Sequence, residues 1–155
     1  MLYLMKSCLM LISRLLVFFQ FLFLATLFIP MYLISFEYGW VVSFICLSLA
    51  LKLLLWTSAH NKVGNFNIIP EIKEGCILIR TGPYKFIRHP MYTSVLLVGL
   101  GALAYGFAFF KLGVLGTLIL VMSIKARKEE KFWCEKSVEY KRYQEETKMF
   151  IPFVL

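Results

Sequence analysis

The sequence predicts an all-α integral membrane bundle: four transmembrane helices, a structured cytoplasmic loop and a C-terminal amphipathic helix. Three observations lead there. Of the 155 residues, 60% are hydrophobic and the mean hydropathy is +0.75, where soluble domains are nearer half apolar. The excess is gathered into blocks long enough to cross a bilayer. Lys and Arg collect at one set of block ends. At this length the chain reads as a single domain, 1–155.

The elements follow in order. The first apolar run goes from about Leu9 to Ile34, interrupted by Arg14 and Pro30. It is too long for a signal-peptide core and lacks a small-x-small cleavage site, so it is expected to stay as an anchor. Arg14 lies near its end and can snorkel. A short turn, SFEYGW, leads to the second span, Val41 to Trp56, with Tyr38 as its alternative start. Residues 57–90 then change character: Gly and Pro recur and no apolar run exceeds four residues. A polar connection of that length is unusual for an idle linker and points to function. Met91 to Phe110 is the third span and Leu112 to Ile124 the fourth, joined tightly at FFKLG. Gly99, Gly101, Ala102, Ala104 and Gly106 allow close helix approach. From Lys125 the segment KARKEEKFWCEKSVEYKRYQEETK continues as a charged, aromatic helix near the membrane surface, ended by MFIP.

The net charge is +8. Fourteen of the 17 Lys and Arg fall before the first run, between the second and third, or after the fourth. By the positive-inside rule both termini and the long loop are cytoplasmic. The basic charge thus belongs to membrane topology, and no basic, aromatic-interleaved soluble module is present to bind nucleic acid. Cys8, Cys46, Cys76 and Cys134 share no metal-type spacing, so neither a zinc site nor a disulfide framework is expected.

The densest polar cluster, RTGPYKFIRHPMY, abuts the third span. Its cations can anchor lipid headgroups, as for Lys85 beside Arg80 and Arg88, or can bind a charged ligand. The loop contributes His89, Arg88, Arg80, Tyr84 and Tyr92; the tail contributes Glu129 and Glu130 beside Lys125 and Arg127. Lys125 and Glu129 are four apart and share a helix face. Such a set satisfies a ligand with an amine, a carboxylate and an aromatic base.

GPYKFIRHPMY resembles the G-x-Y-x-x-x-R-H-P-x-Y element of the isoprenylcysteine carboxyl methyltransferase family. KARKEEKFWCEKSVEYKRY resembles that family's R-x-x-E-E … E-Y-x-x-Y tail, and GNFNIIPE followed by ILIRTGPY looks like its bacterial branch. The likeness covers roughly residues 60 to 153. It implies methyl transfer from S-adenosylmethionine to a lipophilic acceptor in the membrane, in a bacterial inner-membrane setting. By that resemblance Leu78, Ile79, Tyr84, His89, Pro90, Met91 and Tyr92 line the cofactor pocket, and Glu129 holds the methionine amine. The family's arginine for the substrate carboxylate falls on Lys125, with Arg127 as the other basic residue just before Glu129 and slightly preferred for its fork. A carboxylate is ionised at pH 7 and needs no strong base. Methylation of a phospholipid amine, the alternative acceptor, would use His89 as base. A non-catalytic membrane protein of the same architecture is the third reading.

Overall fold

The computed structural model describes residues 2–29, 37–61, 65, 68–70 and 76–152, with side chains from Ser7 onward. Among these the named elements are all helical. Helix α1 is Leu2–Leu27, α2 Gly39–His60, α3 Pro90–Tyr105, α4 Phe109–Lys136 and α5 Val138–Glu146, with a short 3-10 turn at Gly82–Lys85.

Helices α1, α2 and α4 are long and apolar enough to cross a membrane. Their outward residues need lipid, since Phe44 is 70% and Leu55 61% exposed. Helix α3 has 16 residues, about 24 Å at 1.5 Å per residue, short of a hydrocarbon core of about 30 Å. Expected spans shift accordingly. The first helix ends at Leu27, ahead of Pro30, which lies outside the described residues. The third helix stops at Tyr105, not Phe110. The corner is Gly106–Ala108, and FFKLG already belongs to α4. At this corner Gly106 leaves helical geometry and Ala108 is extended.

Helices α2 and α3 pack along each other, as do α1 and α4. Gly101 sets the first contact: a Cβ there would lie 3.3 Å from Cys46 Cβ and from the Ser43 carbonyl. In α1, Ser13, Gln20 and Leu27 are buried at seven-residue spacing, the seam of an antiparallel pair with α4. Ser13 meets Lys128, Gln20 meets Lys125, and Leu27 shares a core with Leu118, so forward along α1 is backward along α4. That core also holds Ala102, Val121, Met122, Ala126 and Phe150.

Helix α4 is 28 residues, about 42 Å, so its last turns outrun the apolar layer. The expected unbroken tail helix is interrupted. Ser137 is extended, and α5 folds back with Tyr140 and Tyr143 buried. This brings the tail over the loop.

Candidate active site

The GPY segment is held by its glycine. Gly82 has φ +60°, and a Cβ there would lie 2.5–2.6 Å from the His60 ring. Only glycine takes both that backbone and that approach without strain. The following RHP is pinned by the tail. The Arg88 and His89 amides donate to the carbonyls of Lys148 and Met149, at 2.8 and 3.1 Å, and the Lys148 amide returns a bond to the Phe86 carbonyl at 3.2 Å. Thr93 Oγ1 donates to the Phe150 carbonyl at 2.9 Å. Pro90 then starts α3, where a missing N–H costs nothing.

Glu130 is the buried node that joins motif to tail. Its Oε1 accepts from Arg88 Nε at 2.6 Å and His89 Nε2 at 3.1 Å, and its Oε2 accepts from Gln144 Nε2 at 2.9 Å. Arg88 also donates to the carbonyls of Gln144 and Thr147. A carboxylate only accepts, so the contact selects the His89 tautomer with hydrogen on Nε2. The Nδ1 side faces Glu129 at 3.7 Å.

Above this node lies a polar cleft of about 80 Å³. Its walls include the strap Cys76–Ile79, Tyr84, His89, Glu129 and the aromatic pair Trp133 and Tyr140, whose rings stack at 5.7 Å. Asn65 holds the strap: its Oδ1 accepts from the Ile77 amide at 3.0 Å and its Nδ2 donates to the Ile77 carbonyl at 2.7 Å. At the rim Arg80 pairs with Glu139 at 3.2 Å and with Glu146, and lies over the Tyr143 ring. Tyr143 Oη donates to the Tyr84 carbonyl at 2.6 Å. Burial, chiefly, pushes the phenols of Tyr84, Tyr140 and Tyr143 above their ordinary range.

A second, apolar cavity of about 520 Å³ opens on the other side, among α1, α2 and α3. Phe21, Leu24, Leu47, Leu51, Leu54, Val95 and Val98 form most of it, and Gln20 and Lys125 form its polar end. Between cleft and cavity stands Tyr92. Its ring stacks on His89 at 5.3 Å, its hydroxyl donates to Glu129 at 3.1 Å, and Lys125 Nζ sits 5.0 Å over its centroid.

Leu78, Ile79, Tyr84, His89 and Glu129 therefore come together in the polar cleft. Met91 and Tyr92 line the apolar cavity instead, and Pro90 is wholly buried at the helix start. Lys125 is buried at the end of that cavity. Arg127, two residues on and about 200° around the helix, is exposed. Arg88, a candidate lipid anchor, is instead paired inside the fold with Glu130. Lys85 is exposed. Sequence reasoning missed Glu130 as the node and Gln20 as a neighbour of the site. The signal for Gln20 was its isolation in LLVFFQFLFL.

Three long apolar helices with lipid-demanding faces define an integral membrane protein. The family model for isoprenylcysteine carboxyl methyltransferases matches residues 41–134, more than half of the chain, and the protein belongs to that family. It is thereby a methyltransferase of the membrane. No curated protein matches the chain.

Proposed function

We propose that the protein transfers a methyl group from S-adenosylmethionine to the carboxylate of a lipophilic acceptor, isoprenylcysteine-like in chemistry. The observation that carries this is the pairing of two unlike chambers, polar and apolar, across the Tyr92–Glu129 hydrogen bond. The polar cleft has the groups to meet the cofactor: Glu129 to accept from the amine, the backbone of Leu78 and Ile79 beside it, and Tyr84, Trp133 and Tyr140 as flat surfaces. At about 80 Å³ it takes only part of such a molecule. Loading then requires the strap 76–80 to part from α5, where the exposed pairs of Arg80 are each worth about 1 kcal/mol or less.

S-adenosylmethionine supplies a methyl carbon on a cationic sulfur, which a carboxylate takes in one displacement, giving a methyl ester and a neutral thioether. The chain's part is alignment and exclusion of water. Lys125 faces the apolar cavity and orients the acceptor carboxylate there. The aliphatic walls hold the acceptor's chain and keep water from its head group. His89 forms a wall of the cofactor cleft, its Nε2–H committed to Glu130 and its ring face to Tyr92. The basic nitrogen left free, Nδ1, faces Glu129 in the polar cleft and not the apolar cavity, so His89 is poorly placed as a base for an amine there, which favours the carboxylate.

In the membrane the reading is four spans, α3 tilting with α4 as a short hairpin, and both termini cytoplasmic, supported by the 14 cations on one side. The tail α5 rests at that surface, its Tyr140 and Tyr143 inward. Calorimetry of S-adenosylmethionine with detergent-solubilised protein tests the cofactor assignment. Glu129→Ala should weaken binding roughly ten- to a hundredfold, the loss of a charged hydrogen bond. Wild-type affinity in that variant would remove Glu129 from the site.

A further inference from the structure

We infer that Gln20 is a specificity-determining residue of the apolar cavity: it fixes Lys125 at the cavity's end and adds a second N–H donor there, so that the two receive the two oxygens of a carboxylate on a long apolar chain. The inference rests on the reading of this cavity as the acceptor site. It concerns a helix, α1, that lies outside the family-matched residues 41–134.

Gln20 is 6% exposed in an otherwise apolar stretch of a membrane helix. An amide in that position is costly unless bonded. Lys125 Nζ donates to Gln20 Oε1, which satisfies the carbonyl arm and fixes the orientation of the amide. The NH₂ arm carries two hydrogens on the same end group. Lys125, 1% exposed, is held from below by the Tyr92 ring face. Both residues line the cavity, and no acidic side chain among the described residues does.

Among the described residues, the other polar side chains of the cavity wall are two hydroxyls, and both have given their hydrogens elsewhere. Tyr92 donates to Glu129, and Ser94 donates to the Pro90 carbonyl at 3.1 Å. The end of the cavity is therefore rich in N–H donors and positively charged. A carboxylate brings only acceptors and a negative charge, and both its oxygens can be met. An ammonium brings donors against donors and charge against like charge. A lone lysine lacks the planar fork with which an arginine meets two oxygens. Here a lysine from α4 and an amide from α1 divide that task.

The test uses three probes sharing one S-farnesyl tail: N-acetyl-S-farnesylcysteine, its carboxamide, and S-farnesylcysteamine as the amine. Their binding to the full chain in lipid nanodiscs is measured without methyl donor. The wild type should bind the carboxylate at least tenfold more tightly than the amine. Gln20→Leu should cut that preference at least fivefold, and Lys125→Arg in the Gln20→Leu background should restore it, because the fork supplies both donors. Gln20→Glu keeps a partner for Lys125 but replaces the N–H donors by a negative charge, and should abolish the preference. The second variant serves should Gln20→Leu not fold. An unchanged preference in Gln20→Leu or in Gln20→Glu, or an amine bound as tightly as the carboxylate, would overturn the inference. So would failure of Lys125→Arg to restore the preference. Methyl transfer in the same preparations separates the two ideas. Intact preference without transfer, once methyl donor is added, removes the proposed methylation of this acceptor, and transfer without preference removes the role of Gln20.

Discussion

Two adjacent glutamates should differ widely in what their replacement costs the fold. Glu130 is 7% exposed and accepts from Arg88, His89 and Gln144. Glu130→Ala leaves the Arg88 guanidinium buried with two backbone carbonyls and no negative charge. Breaking a buried pair by removing one partner costs about 3–5 kcal/mol. For a chain of this size each kcal/mol lowers Tm by about 2–4 °C, so the fall should be on the order of 10 °C. Glu129 has a side chain 32% exposed, a hydroxyl partner in Tyr92 at 3.1 Å, and His89 only at 3.7 Å. Glu129→Ala should cost about 1 kcal/mol and move Tm by a few degrees at most. Thermal unfolding in one detergent, followed by tryptophan fluorescence, compares the two. The double variant Arg88→Met with Glu130→Leu should recover part of the loss, since no charge is then left buried. The reasoning fails if Glu130→Ala melts within 2 °C of wild type, or if Glu129→Ala is the more damaged protein.

Three further outcomes follow from the same geometry. Gly82→Ala forces a left-handed backbone and a clash with the His60 ring, and should destabilise by about 1–3 kcal/mol, read as a lower Tm. Lys125→Ala should lower methyl transfer at least tenfold with cofactor affinity unchanged, whereas exposed Arg127→Ala should stay within twofold; equal losses would return Arg127 to the site. The buried phenols of Tyr84, Tyr140 and Tyr143 keep their protons where an unfolded chain, with phenols near 10, releases them. Their contribution is therefore full below about pH 10 and falls as pH rises beyond it. Melts at pH 9 and pH 11 should show the drop, and replacing the three tyrosines by phenylalanine should shrink it.

The helical class and the meeting of loop and tail were legible because both rest on strong patterns. Hydropathy marks the spans, and the RHP and double-Glu motifs mark the two halves of the site. The end of α3 was not legible. The apolar run continues through Phe107, Phe109 and Phe110, so hydropathy registers no corner, and Gly106 reads equally as a packing residue. The division of labour between Glu129 and Glu130 was hidden because neighbours on a helix point about 100° apart, and only the fold says which direction is inward. Helix phase did carry one further answer. Lys125 shares a face with Glu129 and lines the apolar cavity, whereas Arg127, preferred on the sequence for its fork, lies on another face and is exposed. The contact of Gln20 with Lys125 joins residues 105 apart, beyond any local pattern.

The most direct test of the proposed chemistry is the bond that the methyl group ends in. The purified protein in nanodiscs is given methyl-labelled S-adenosylmethionine and N-acetyl-S-farnesylcysteine, and the lipid-soluble product is treated with mild alkali. A carboxyl acceptor yields a methyl ester, so the label should be released as volatile methanol, and Lys125→Ala should reduce it at least tenfold. Label that enters membrane lipid and resists alkali would mean transfer to an amine, and no incorporation at all would contradict the assigned reaction.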